Sequence, residues 1–276
     1  MPPEFHNRTR RSASIPRALA DRRQAYAIPL YHLLRLSDLA REGFDHSGSH
    51  RFADHIYRNE PSGRGGMGRW IDARLLAMPA VRAFRSRFLA SRDALASLLA
   101  ERRGQAEEMD VLSVPCGIPR ELVEGLKCFR DRGGRLDGIR LHGLDLDPNV
   151  LSEAGRFVVQ NGLGEFIAHH GDALDRATYS PHVAFLTCTG LGEFLDDARL
   201  QELYGIFHAV LEPGGMLVTS AMARRPIADW LLQLAEIRVH YRDAAALSAA
   251  VRGAGFTQVE TRSDETGIQT LLVARR

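Results

Sequence analysis

The stretch over residues 109–151, MDVLSVPCGIPRELVEGLKCFRDRGGRLDGIRLHGLDLDPNVL, narrows the fold more than any other part of the chain. A short apolar run is followed by a tight turn, a helical segment, a second apolar run and then an acidic residue, Asp145, where that run ends. Apolar runs separated by a helix predict parallel strands joined by a crossover, because parallel neighbours need a connection long enough to return to the same end of the sheet. Ligands of such sheets sit outside the carboxyl ends of the strands, which brings the first turn and Asp145 to one place.

The alternation continues to the C-terminus. Strands are predicted at 111–114, 139–144, 166–169, 182–187 and 216–220, with helices at 119–130, 148–160, 196–211 and 244–253. Asp147 is placed to cap the helix that opens with Pro148, and Glu212-Pro213-Gly214-Gly215 marks a sharp helix-to-strand turn. Two final strands, 257–262 and 269–274, are joined by Asp264-Glu265-Thr266-Gly267 as a hairpin. The expectation is an α/β chain with a Rossmann-like, seven-stranded, mostly parallel sheet ending in an antiparallel hairpin.

Before residue 105 the pattern is helical. Helices are predicted at 25–42, 51–57, 70–77, 81–89 and 92–102, the last capped by Ser91, with the glycine-rich stretch 61–68 as a loop. Residues 18–104 are therefore expected to form a helical cap or lid, and 1–17 a flexible basic arm carrying Arg8, Arg10, Arg11 and Arg17. The sheet domain is expected over 105–276.

Composition removes several function classes. No apolar run approaches the roughly eighteen residues of a membrane span. A net charge of +2 does not by itself call for a polyanionic partner, although Lys127 is the sole lysine among 36 basic residues. Cys116, Cys128 and Cys188 are an odd number without metal-ligand spacing, which points to a reducing, cytoplasmic setting. Asp45, His46, His50, Asp54 and His55 follow no familiar ligand pattern, and no metal is expected.

From residue 105 onward the chain resembles the class I S-adenosylmethionine-dependent methyltransferases. The motifs carrying the resemblance are Ser113-Val114-Pro115-Cys116-Gly117-Ile118-Pro119, Gly143-Leu144-Asp145-Leu146-Asp147-Pro148, Gly171-Asp172-Ala173-Leu174 and Leu211-Glu212-Pro213-Gly214-Gly215. In the first of these, serine stands where the family usually has an acid, and only Gly117 keeps a usual glycine position. The resemblance implies S-adenosylmethionine as co-substrate. Asp145 would accept from both ribose hydroxyls, Leu146 would lie against the adenine, and Asp172 beside Ala173 would accept from the adenine amine. Pro115, Cys116 and Gly117 would form the turn at the methionine end, stiffened by prolines that lack an N–H.

Thr187 and Thr189 at the end of the fourth strand are candidates for the ligand's amino or carboxylate group, and Glu193 is a candidate acid or base. Glu193 and Asp196 can equally open the next helix and complement its dipole. Tyr57 is the second candidate catalytic residue, taken from the aromatic set Tyr26, Tyr31, Phe44, Tyr57 and Trp70, whose faces suit a sulfonium or a small-molecule pocket. Arg58, Arg64 and Arg69 are available for a substrate carboxylate. Cys116 has no histidine at a recognisable spacing and does not read as a nucleophile.

The expected reaction is in-line methyl transfer to a small-molecule acceptor. Two alternatives stay open. One is an S-adenosylmethionine-consuming lyase or cyclase releasing methylthioadenosine, in the manner of azetidine-2-carboxylate synthases, suggested by the altered first turn. The other is a nucleic-acid-binding methyltransferase-like module, suggested only by the arginine-rich arm.

Overall fold

The computed structural model describes residues 15–46, 49–102, 108–180, 182–226, 229 and 238–276. Arg8, Arg10 and Arg11 of the expected arm lie outside the described residues. The chain divides into two compact units, one comprising Met1–Arg85 with Arg225–Arg238 and the other Ser86–Arg224 with Val239–Arg276.

The helical unit contains α1 (Ile15–Asp21), α2 (Ile28–Leu34), α3 (Asp38–Asp45), α4 (His50–Arg58) and α5 (Gly65–Leu76). Arg17, expected in the arm, is helical because Ile15 and Leu19 of α1 bury against Tyr31. The predicted helix over 25–42 is broken. Ser37 is extended and caps α3 by accepting from Ala40 N, so α2 ends before it. The predicted loop over 61–68 gives way to helix at Gly65. Gly68 sits so close to the Leu36 carbonyl that a Cβ there would lie 2.4 Å from its oxygen, and the Arg64 N–H donates to the same oxygen at 2.8 Å.

One buried carboxylate ties this unit together. Asp72 of α5 accepts from Ser37 Oγ at 2.5 Å, Leu39 N at 2.9 Å and Ser62 N at 3.1 Å, and pairs with His55 Nε2 at 2.8 Å. It therefore joins α3, α4, α5 and the segment before α5.

The sheet unit is a seven-stranded sheet in the order β3-β2-β1-β4-β5-β7-β6. Its strands are β1 (Met109–Ser113), β2 (Ile139–Asp145), β3 (Phe166–His170), β4 (Val183–Cys188), β5 (Leu211–Met222), β6 (Thr257–Ser263) and β7 (Gln269–Arg275). The first five run parallel, whereas β7 is antiparallel to both β5 and β6. The central strand β4 is buried along its whole length, as its near-continuous apolar sequence, interrupted only by Thr187, leads one to expect.

Helix α6 (Pro79–Glu101) crosses the division between the units, while α7 (Arg120–Asp131), α8 (Pro148–Gln160), α9 (Asp197–Val210) and α10 (Ala244–Gly253) belong to the sheet unit. Leu95, Leu98 and Leu99 of α6 share a core cluster with Leu122 and Leu126 of α7, Val158 of α8 and Val111 of β1. The two helices predicted over 81–102 are a single helix, because Ser91 is fully buried and gives its hydroxyl to a distant strand instead of a helix end. Asp147 and Asp196 cap α8 and α9, accepting from Asn149 N and Arg199 N.

The Asp72 centre generates a prediction. Burial by itself would raise its pKa, but the bonds from His55, Ser37, Leu39 and Ser62 outweigh that and hold it below the ordinary aspartate value. The stability it contributes is then present above the ordinary range and is lost as pH falls through the lowered value. Asp72→Ala should destabilise the helical unit by about 3 kcal/mol in urea unfolding at neutral pH, since it strands four donors. The gap from wild type should narrow as pH drops below about 4.

Candidate functional site

The sheet order places β1 and β4 side by side, with β2 and β3 on one flank and β5 on the other. Chain connections diverge at this point, where sheets of this kind form a ligand crevice outside the carboxyl ends of the strands. The turn 114–117 runs across it. Val114 N donates to Thr187 O at 2.9 Å and Cys116 N to Leu144 O at 2.8 Å, which staples the turn to the strands on either side. The Val114–Pro115 peptide is cis, and Gly117 takes a φ of +48°, a conformation that glycine adopts without strain.

Asp145 closes β2 and meets this turn directly. Its Oδ2 accepts from Gly117 N at 3.1 Å and its Oδ1 from Asp147 N at 3.2 Å, while its own carbonyl accepts from Gly171 N at 3.1 Å. The side chain is half-buried. These two N–H bonds orient the carboxylate.

Close packing behind the turn depends on Gly143. A Cβ at that position would lie 2.3 Å from the Phe166 ring and 2.8 Å from Cys116 Cβ. Cys116 is buried there among Leu151, Ala154 and Phe166. Burial, followed by the nearby Asp145 and Glu121 charges, pushes its thiol well above the ordinary value, and burial pushes Cys188 up to about 12. Neither sulfur is a thiolate nucleophile at neutral pH.

The remaining sequence candidates are placed as follows. Leu146 is half-buried and its carbonyl lies 3.1 Å from His170 Nε2. Asp172 accepts from Leu174 N at 3.0 Å, and the Tyr179 hydroxyl donates to Ala173 O at 2.6 Å, fixing this segment beside the β2 end. Pro115 is exposed at the turn and Thr189 is half-buried. Thr187 is 2% exposed and its hydroxyl is 2.8 Å from Ser91 Oγ of α6. Tyr57 belongs to the helical unit, where it packs on Phe84 at 5.8 Å between ring centres.

Glu193 follows β4 and is 4% exposed. Its carboxylate faces the Arg87 guanidinium of α6 at 3.3 and 3.4 Å, and Gln269 Nε2 of β7 donates to it at 3.3 Å. Arg242 pins the same segment through Gly192 O, Leu195 O and Asp197. Gly190, at φ +114°, makes room for this arrangement, since a Cβ there would come within 3.1 Å of Arg87. Ser91, Arg87, Gln269 and Arg242 carry no local sequence signal, because each acts on residues tens of positions away along the chain.

In the helical unit Asp45 pairs with Arg35 at 2.7 Å, His46 with Glu42 at 3.4 Å and Arg58 with Glu60 at 2.6 Å. Among the described residues no three His, Cys, Asp or Glu side chains are grouped as metal ligands, and no helix is long and apolar enough to cross a membrane.

A protein family described as "Putative methyltransferase" matches residues 34–276. The chain belongs to this methyltransferase family. Its fold is that of the class I S-adenosylmethionine-dependent enzymes. A crystal structure of a Bordetella parapertussis protein described as a possible exported protein aligns with a TM-score of 0.77 and 27% identity, covering 100% of this chain and 99% of that one. Magnesium protoporphyrin IX methyltransferase from Synechocystis, solved with S-adenosylhomocysteine bound, aligns with a TM-score of 0.54 and 12% identity over 81% of this chain and 93% of that chain. Uncharacterized protein YnbC of Escherichia coli K12 is 24% identical over 247 residues, 85% of this chain, and the match spans only 40% of YnbC.

Breaking a buried ion pair from one side leaves the other charge in a poor environment, whereas replacing both partners does not. Glu193→Ala in this chain should therefore cost about 3 kcal/mol in chemical unfolding, and Arg87→Met combined with Glu193→Leu should recover most of that loss. A Glu193→Ala protein as stable as wild type contradicts the pairing.

Proposed function

We propose that this chain transfers the methyl group of S-adenosylmethionine to a small-molecule acceptor, and that the crevice outside β1, β2 and β4 holds the donor. The observation that carries the reading is Asp145, a strand-end carboxylate oriented by two backbone N–H groups. Two vicinal hydroxyls suit such an acceptor, which fits a ribose. The cradle also fits in shape: Gly117 brings bare backbone to the turn, and Leu146 offers an apolar surface beside Asp172 and Ala173 for an adenine.

When bound, the donor supplies an activated methyl on a sulfonium; the protein supplies position. Asp145 fixes the nucleoside end, and the stapled turn at Pro115, Cys116 and Gly117 fixes the methionine end. Holding the reacting centres in line accounts for most of the acceleration expected of such a site. Thr187 and Glu193 serve this as positioning groups, since the hydroxyl of one engages Ser91 and the carboxylate of the other engages Arg87. A small-molecule acceptor is supported by the porphyrin substrate in the name of the Synechocystis relative. We also place the protein in the cytoplasm, on the strength of its free cysteines, and cell fractionation tests that.

Asp145→Ala should weaken S-adenosylmethionine binding by on the order of 2 kcal/mol, about thirtyfold, in isothermal titration calorimetry. Unchanged affinity removes the donor site from this crevice. The reaction itself is read by mass spectrometry after incubation with S-adenosylmethionine, with and without candidate acceptors. S-adenosylhomocysteine formed only with an acceptor supports methyl transfer, whereas methylthioadenosine formed without one supports the cyclising alternative.

A further inference from the structure

One buried acid beside the crevice has no part in the reading above. Glu121 stands in the first turn of α7, is 8% exposed, and accepts a hydrogen bond from Ser113 Oγ at 2.5 Å. Ser113 is the last residue of β1, so the pair lies directly beneath the start of the turn 114–117. Among the described residues no cationic side chain stands at ion-pair distance from Glu121. Arg120 acts on it only through space, its guanidinium resting over the Phe157 ring at 4.7 Å.

The other titratable groups here are the Cys116 thiol and the Asp145 carboxylate, and both Asp145 and Glu121 disfavour a thiolate at Cys116. Two carboxyl groups therefore flank a turn, Val114-Pro115-Cys116-Gly117-Ile118-Pro119, that contains no cation. A carboxyl buried without a cationic partner keeps its proton more readily than usual. Burial raises Glu121 to about 7 despite the Ser113 bond, which places its ionisation in the neutral range.

We propose that Glu121 is the specificity-determining residue through which the site distinguishes a cationic methyl donor from its uncharged, demethylated product. This rests on the reading of 114–117 as the turn at the methionine end of S-adenosylmethionine. The donor carries an ammonium, a carboxylate and a sulfonium, for a net charge of +1. Methyl transfer breaks the bond from sulfur to the methyl carbon, and the bonding pair stays on sulfur as a neutral thioether. The product therefore has no net charge. Donor binding favours ionised Glu121 and releases its proton to solvent. Once the positive charge has left with the methyl, that stabilisation is gone, the carboxylate takes a proton back from solvent, and the product is held less tightly.

The sign follows from linkage: donor binding lowers the Glu121 pKa, so donor affinity rises with pH through the neutral range and levels off above it. The test is calorimetric titration of the whole protein with S-adenosylmethionine and with S-adenosylhomocysteine between about pH 6 and pH 8, in buffers of different ionisation enthalpy so that proton release is counted. Donor affinity should rise by up to about tenfold across that range, with proton release on binding, and product affinity should change by about twofold or less. Both ligands carry the same carboxylate, but the sulfonium lowers the donor's ammonium pKa below the product's, so proton loss by the free donor is measured separately and subtracted from its slope.

Glu121→Gln keeps an acceptor for Ser113 and should remove the difference between the two ligands. Equal pH slopes for donor and product in wild type, or a donor slope that survives in Glu121→Gln, overturns the proposal. If the variant does not fold, the wild-type comparison of the two ligands decides alone. Binding of neither ligand at any pH removes the donor reading along with this one, whereas binding without pH dependence removes only the role of Glu121.

Discussion

The bond from Gly117 N–H to the Asp145 carboxylate joins the two halves of the crevice, and much of the sheet unit's architecture serves to make it. Asp145 must stop at the same height as the turn after β1, which the parallel register of β1 on β2 ensures by pairing Ser113 with Gly143. The turn must bend towards β2, which the bond from Cys116 N to Leu144 O enforces. The cap of α8 is Asp147, which accepts from Asn149 N, while its own N–H donates to Asp145. The geometry at the carboxyl ends of β1 and β2 is thus set by backbone register and helix capping.

Interactions of short range were readable from the sequence. The order of strands and helices, the cap at Asp147 and the final hairpin follow from periodicity and capping chemistry, which act within one or two turns of chain. Ser91 shows where that reasoning stops. Serine before a leucine-rich helix is a sound cap by composition, yet the hydroxyl is captured by Thr187, 96 residues away, and the helix runs through. Gly68 misleads in the opposite direction: the stretch has the composition of a loop, but the close approach of the Leu36 carbonyl needs a residue without a side chain at this point of a helix.

The candidate site divides along the same line. The positions of Asp145, Leu146 and Asp172 at or just after strand ends are legible, because strand ends occupy fixed places in such a sheet. The fate of Glu193 was not, because it is set by Arg87, 106 residues earlier, and by Gln269 from a strand near the C-terminus. Likewise the partner of Ser113 is not legible, because the Glu121 carboxyl reaches it only once α7 is folded against β1.

Gly143 carries a consequence for how this chain can change over time. The space that its missing side chain would fill is shared by Cys116 of the turn and Phe166 of β3. Volume added at any of these three positions must be withdrawn from another, so they are free to vary only as a set. Two of the three, Cys116 and Gly143, lie within the motifs around the crevice, and the third lies in an edge strand outside them. Divergence of the turn at 114–117 is therefore coupled to an outlying strand, and a substitution that adds volume at Gly143 will be disabling in a descendant that keeps Phe166 and tolerated in one whose Phe166 has already been exchanged for a smaller residue.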